Sequence, residues 1–453
     1  MARISPKISV VLGLHLLLFG PAQAQFLPNQ IRIDPQNSSY LVYNRDQDKN
    51  GRLDPFFAIG PGEPEGFLYL GTRRADGTRD GRRQTELISR MKQQGGNTLY
   101  FQLVRSHGGD GEPDDNPWND PANPASGINP KAIAQWKVWF DQIRDAGVVL
   151  FLFVYDDGTH PFDDGGCASN GTVSDAETGF VRQMANEFKA YPNLVWVVQE
   201  EYRFIKAKKS DANTTPCNNA RANRARNLAA LIKQTDEHQH PVGVHHNIGL
   251  PMQFTGDKAV DVYVQQAQVT KTGMHLDTLH AQGLMGFDPR HRYAYVMGEA
   301  YDWHRKLLIA NDRTMLRKSY YASAMAGGGV MVLAMFDGKT PDPSDEMLTD
   351  MRRMQTFFES IPFNDLAPND ALRQGNTRWI LAAPEKGHYL LYSPDNPAML
   401  GVRALRAGTY SLTWFDPATG VRKTGAKVTA AGDTQFPKPA GMGAEVVLFL
   451  TKN

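Results

Sequence analysis

The sequence predicts a (β/α)8 TIM barrel followed by a small all-β sandwich, and three observations carry that prediction. Eight short apolar runs alternate with amphipathic segments through the middle of the 453-residue chain. Polar and charged residues gather at the C-terminal tips of those runs. After Pro362 the alternation gives way to short strands separated by Gly, Pro, Asn and Asp.

The runs fall at 67–71, 97–104, 148–155, 193–198, 242–246, 260–265, 293–297 and 329–335. Helical periodicity lies between them at 85–94, 133–146, 178–190, 221–237 and 313–326, and again at 347–359 after the last strand. Several strands are apolar on both faces, as strands covered by helices must be. Gly95-Gly96 and Gly147 stand where a helix C-cap takes glycine. Strict strand-helix alternation at this length favours a closed barrel over an open doubly wound sheet. No Gly-rich phosphate-cradling turn follows the first strand, which argues against a dinucleotide-binding fold. The barrel is therefore expected over 67–362, preceded by a segment at 25–66. The β-module spans 363–453, with strands at 378–382, 389–393, 408–414 and 445–450 and a turn at Asp416-Pro417-Ala418-Thr419-Gly420.

Arg3 and Lys7 precede an apolar stretch from Ile8 to Gly20, and Ala22-Gln23-Ala24 follows. That pattern is a secretory signal peptide over 1–24, too short in its apolar part to span a bilayer, which takes about 20 residues. A secreted or periplasmic protein with no membrane span is expected. With 49 basic and 48 acidic side chains the chain is near neutral, which argues against nucleic acid, whose binding demands clustered positive charge. Cys167 and Cys217 are the two cysteines. In an oxidising compartment they are expected to pair, bridging two neighbouring barrel loops and contributing about 3–4 kcal/mol by chain entropy.

The strand tips read Arg105-Ser106-His107, Asp156-Asp157, Gln199-Glu200-Glu201, His245-His246-Asn247, Gln265-Gln266 and Glu299 followed by Trp303. In a barrel of this kind the C-terminal ends of the strands carry the site. Convergent amides and charges with aromatic neighbours suit a polysaccharide or glycan, whose hydroxyls need hydrogen bonds and whose ring faces need flat apolar surfaces. Glycosidic cleavage needs one carboxylic acid and one carboxylate, without a cofactor. Glu299 and either Glu200 or Glu201 supply that pair. Arg105, His107, Asp156, Asp157, Gln199, Glu201, His246 and Trp303 are the expected substrate contacts. His245 and His246, adjacent on a strand, point oppositely and cannot chelate a metal together.

Gly96-Asn97 opens strand two and Arg105 ends it; Trp196 lies in strand four, Gly298-Glu299 ends strand seven, and Trp414-Phe415-Asp416-Pro417-Ala418-Thr419-Gly420 lies near the C-terminus. On these residues the chain resembles the clan A glycoside hydrolases. More narrowly, it resembles bacterial proteins that join such a barrel to a small C-terminal β-domain of collagen-binding type. The resemblance runs from about Phe67 to the C-terminus. It implies a retaining mechanism with Glu200 as acid/base and Glu299 as nucleophile. One position departs from the clan: Gln199 replaces the Asn that donates to the sugar 2-hydroxyl. If the strand slips by one residue, Glu201 becomes the acid.

Asp46, Asp48, Asn50, Gly51 and Asp54 follow the 1, 3, 5, 6, 9 spacing of a calcium loop. Position twelve is Phe57, so a structural calcium ion would bind weakly or need another ligand segment. The rival reading of the whole chain is a catalytically silent carbohydrate- or matrix-binding protein on a barrel scaffold. A metal-dependent hydrolase is disfavoured, because no His-x-His pattern occurs at the tips.

Overall fold

The computed structural model describes residues 25–453 apart from 63–65, 106–115, 121–122, 157–160, 163–166, 168, 203–214, 248–249, 268–274, 289, 291, 301 and 334–339. The expected signal peptide at 1–24 therefore lies outside the described residues. Eight parallel strands close into a barrel: Ile59–Gly62, Thr98–Val104, Val149–Tyr155, Leu194–Val197, Val242–His246, Val262–Gln266, Ala294–Glu299 and Gly329–Leu333, numbered one to eight below. Among the described residues, no helix is long and apolar enough to cross a membrane.

Strand one is not the expected run at 67–71, which forms a 3-10 turn, Phe67–Tyr69. Its apolar residues are explained by packing: Phe67 stacks on Phe101 at 4.6 Å and meets Trp139 edge-on. The true strand, Ile59-Gly60-Pro61-Gly62, reads as a turn, yet its glycines have a packing role. A Cβ at Gly60 would fall 1.9 Å from the Thr98 carbonyl oxygen, and one at Gly62 would fall 1.4 Å from the Tyr100 ring. Strand two can thus lie against strand one only because both positions lack a side chain. On the other edge strand one pairs with strand eight, Val330 opposite Ile59, and the ring closes.

A helix at Leu276–Gly286 escapes the periodicity because Gly283 and Gly286 interrupt it. Those glycines let the helix approach Ala326 and Tyr295, whose atoms lie 2.5 and 2.4 Å from where their Cβ atoms would be. Beneath the barrel, a three-stranded antiparallel sheet of Ile31–Ile33, Leu41–Tyr43 and Pro55–Phe56 plugs the floor. Ile31, Leu41 and Phe56 continue the interior cluster of Tyr100, Phe151, Val195, Val264 and Val296.

At that floor, Asn97 accepts from the Ile59 N–H at 2.8 Å and donates to the Phe57 carbonyl at 2.8 Å and to Glu359 at 3.3 Å. Glu359, the last residue of the helix Asp345–Glu359, also accepts from the Phe57 N–H at 3.2 Å. One amide and one carboxyl thus tie the starts of strands one and two to the last barrel helix.

The C-terminal module is a curled antiparallel sheet whose spine, Met399–Phe415, pairs with Val446–Lys452, Val428–Pro437, Arg422–Thr424 and Arg373–Gly375. Register breaks between Val402 and Leu405 and between Leu405 and Gly408 bend the spine. The sheet thereby folds over its own core of Ile380, Tyr389, Leu391, Trp414 and Leu448. Strand Val428–Pro437 is missed by pattern because most of it is exposed and short-chained.

The other face of this sheet joins the barrel's outer core. Tyr392 stacks on Tyr321 at 4.6 Å and Phe415 on Phe357 at 4.4 Å. Between the modules runs a buried ionic network. Arg317 grips Glu445 with two hydrogen bonds, 3.2 and 2.5 Å, and Asp350 with one of 2.9 Å. Asp350 also accepts from Arg313 and Arg353.

Two outcomes follow from these contacts. Arg317→Met leaves Glu445 buried without its cation and is expected to cost roughly 3–5 kcal/mol in urea unfolding; a loss below 1 kcal/mol would contradict the network's role. Burial raises the Glu359 carboxyl from 4.5 to about 7, because leaving water penalises the charged form more than the Phe57 N–H favours it. The folded state then holds this proton more tightly than the unfolded chain, so the contribution is full below pH 4.5 and lost as pH rises through 7. Glu359→Gln should flatten the stability-against-pH curve across that window, measured by chemical denaturation on either side of it.

Candidate functional site

The C-terminal ends of strands four, five and seven bring three titratable side chains together. One carboxylate oxygen of Glu200, one ring nitrogen of His245 and one carboxylate oxygen of Glu299 all lie within 4.8 Å of one another. All three residues are buried, Glu200 and Glu299 each 5% exposed.

Simple alternation does not aim these glutamates. Strand four turns Val195 and Val197 to the interior and ends there, with a bend at Val198. Beyond the bend the Glu200 N–H donates to the Tyr155 carbonyl at 3.0 Å, and its Oε2 accepts from the Gln102 amide of strand two. On strand seven the register against strand six runs Val264 to Val296, Gln265 to Met297 and then Gln266 to Glu299. Gly298 is the extra residue of a bulge, which re-aims Glu299 to the side that alternation assigns to Gly298. A side chain at 298 would collide with Val264 Cγ1, 2.4 Å away.

His245 pairs in register with interior Val264 and therefore faces inward. Its Nδ1 accepts the Glu201 backbone N–H at 3.1 Å, and its Nε2 lies 3.9 Å from Glu299 Oε2. Full burial lowers its pKa to about 3, so the ring is neutral. With Nδ1 committed as an acceptor, the ring proton sits on Nε2. In this tautomer the ring presents Nε2–H, a hydrogen-bond donor, toward Glu299.

Glu201 is outside this cluster. Its backbone is left-handed, φ 35°, a conformation that a non-glycine residue holds only when its surroundings enforce it. Its carboxylate accepts from Gln266 Nε2 at 2.5 Å and Asn247 Nδ2 at 3.2 Å.

The remaining expected contacts divide. Gln199 is buried, and its Nε2 has no partner among the described residues. Arg105 is buried with its guanidinium 4.3 Å from the Tyr69 ring centroid, and Asn116 bonds both its N–H and its carbonyl at 3.0 Å. Asp156 is wholly buried at the end of strand three, its N–H on the Val104 carbonyl. His107 and Asp157 lie outside the described residues. One expectation is corrected. His246 faces away from the carboxylates: Nδ1 meets the Val244 carbonyl, Nε2 accepts from the Gln253 N–H, and Tyr263, Tyr202 and Phe254 surround the ring. Trp303, 8% exposed, packs in the main apolar core.

Three residues of the site are absent from the expected set: Gln102, His245 and Gln266. Gln102 carries a readable signal, an amide inside the otherwise apolar run Leu99–Val104 of strand two. The choice of His245 over His246 depends on register with strand six, which the sequence does not encode locally.

Cys167 and Cys217 form a disulfide with Cα atoms 4.7 Å apart. Cys217 sits in the first turn of the helix Thr215–Thr235 and not in a loop. In the expected calcium loop, Asp46, Asp48 and Asp54 each offer a carboxylate oxygen within 4.8 Å of the others. Asn50 donates to Asp48 at 2.9 Å and so turns its side chain onto the loop itself.

No family model matches this sequence, and no curated protein matches it. Solved structures match over both modules. A family 5 glycoside hydrolase from Bacteroides vulgatus superposes with a TM-score of 0.65 at 13% identity, covering 94% of this chain and 95% of that one. A second glycoside hydrolase gives 0.62 at 15% identity, covering 94% and 98%. Coverage this wide includes the C-terminal module, so the shared fold is the barrel and its β-sheet companion together.

Proposed function

We propose that this protein is a secreted retaining glycoside hydrolase acting on a polysaccharide or glycan, with Glu200 as acid/base and Glu299 as nucleophile. The observation that carries the reading is the approach of Glu200 and Glu299 to within 4.8 Å at one end of the barrel. Retaining enzymes hold their carboxyls about 5–5.5 Å apart, and inverting ones about 6.5–9.5 Å to admit a water. The retaining reaction needs one of this pair to hold a proton and the other to be ionised, and carboxylates so close resist being ionised together.

In the first step Glu200 gives that proton to the leaving oxygen while Glu299 attacks the anomeric carbon, breaking the glycosidic bond and forming a glycosyl ester. In the second, Glu200, now the base, takes a proton from water as the water oxygen attacks the same carbon and releases Glu299. The Gln102 amide holds Glu200 in place through both steps. Gln199, whose buried Nε2 has no partner among the described residues, is suited to a sugar hydroxyl and is the residue we assign to the 2-hydroxyl.

The fold likeness to glycoside hydrolases supports the reading at the level of architecture. The rival, a silent binding protein, draws no support from the surface. Among the described residues the large exposed apolar side chains, Val138, Leu284, Met285, Ile309, Met399 and Val421, are all aliphatic, and the β-module offers no exposed ring for a sugar face. Export accords with the N-terminal apolar segment and the disulfide. We include in the same reading a structural calcium ion held by Asp46, Asp48 and Asp54.

Hydrolysis of a glycan panel tests the assignment. Glu299→Gln should abolish turnover of any substrate found while leaving the circular dichroism unchanged; retained turnover would remove Glu299 from the nucleophile's role. Glu200→Ala should lower kcat by roughly 10²–10⁴ and recover with azide, and the same signature in Glu201→Ala instead would move the acid by one residue. Calcium should raise the thermal midpoint of the wild type and not of Asp48→Asn; equal midpoints in calcium and in chelator would dismiss the ion.

A further inference from the structure

We propose that His245 is a positioning residue for Glu299: anchored through Nδ1 on the Glu201 backbone, the imidazole directs its Nε2–H toward the Glu299 carboxylate and holds it ionised and oriented. The proposal rests on the reading of Glu299 as nucleophile and adds the means by which that residue is kept ready.

The geometry begins one residue after the proposed acid. The left-handed backbone at Glu201 turns its N–H onto His245 Nδ1 at 3.1 Å. Such a backbone needs enforcement, and the Glu201 carboxylate provides it, accepting from Gln266 at the tip of strand six and from Asn247 just past strand five. The two adjacent glutamates therefore divide their work. Glu200 faces Glu299, and Glu201 anchors the histidine between them.

The imidazole has little freedom. Its ring meets Phe153 edge-on at 5.8 Å, and its Cδ2 lies 3.4 Å from where a Cβ on Gly298 would be. The missing side chain at Gly298 thus serves both the bulge that aims Glu299 and the room for the ring beside it. Burial keeps the ring neutral across ordinary pH, so it offers Glu299 an N–H without competing as an acid for the proton that Glu200 must hold. At 3.9 Å the contact is longer than a hydrogen bond. Catalytic hydrogen bonds are often long in the free enzyme and tighten when substrate binds. Among the described residues, those facing Glu299 include Glu200 from the end of strand four, His245 from strand five and neutral Gln266 in register from strand six.

The test is a titration of the full-length protein carrying 13C at glutamate carboxyls and 15N in imidazoles, with the Glu299 resonance assigned by its loss in Glu299→Gln. The His245 ring should show a protonated Nε2 and an unprotonated Nδ1. In His245→Phe, which keeps a flat ring without an N–H, the Glu299 midpoint should rise by about one pH unit, because a donor to the charged form has been removed. In His245→Gln, whose amide restores a donor, the midpoint should return toward the wild-type value. A merely space-filling role would not distinguish phenylalanine from glutamine in this way. A proton on Nδ1 in the wild type, or a Glu299 midpoint equal in wild type and His245→Phe, overturns the proposal. Should the phenylalanine variant not fold, the wild-type tautomer and the glutamine variant decide. None of these readings needs turnover: an active enzyme killed by Glu299→Gln but with an unmoved midpoint sinks this proposal alone, and an inactive protein with the expected shift sinks only the nucleophile.

Discussion

Closure of the parallel ladder between strand eight and strand one is the constraint on which the rest of the molecule depends. An open sheet of the same strands would leave the tips of strands four and seven far apart, whereas a ring of eight places them on facing walls of a narrow interior. Closure is steric before it is energetic. Gly60 and Gly62 vacate the space that the Thr98 carbonyl and the Tyr100 ring occupy, and Tyr100 then fills the interior beside Phe153. The sheet Ile31–Phe56 seals the lower end with Ile31, Leu41 and Phe56. With the floor filled, the mouth is left as the end where polar side chains converge.

The second module is bound to the first through stacked rings and a buried network centred on Arg317, Asp350 and Glu445. Such a network is strong only while every member is present, since each charge has given up its water. The module's aromatic residues face its own core or the barrel helices.

The order of the barrel strands is legible in the sequence because runs such as Val149–Tyr155, apolar throughout, have no stable place except between helices and a filled interior. Strand one is not legible, because Ile59-Gly60-Pro61-Gly62 is chosen by what its neighbour needs and not by its own propensity. The helix Leu276–Gly286 is hidden for the same reason, its glycines serving close packing. The convergence of tips four and seven follows from strand counting, but the aim of each side chain does not. A bend at Val198, a left-handed Glu201 and a bulge at Gly298 each break the two-residue period, and the histidine that faces Glu299 is His245 where local reading prefers His246. Local rules fail at this end of the barrel in a cluster, which is where function would place such irregularities.

The central claim is that Glu299 forms a covalent bond with the sugar. Incubating the protein with a panel of 2-deoxy-2-fluoroglycosyl fluorides, which form the ester intermediate and release it slowly, followed by peptide mass spectrometry, tests it most directly. The account predicts a single glycosyl adduct on the peptide bearing Glu299. An adduct on Glu200 or Glu201, or unmodified Glu299 in a preparation that the same reagent inactivates, would contradict it.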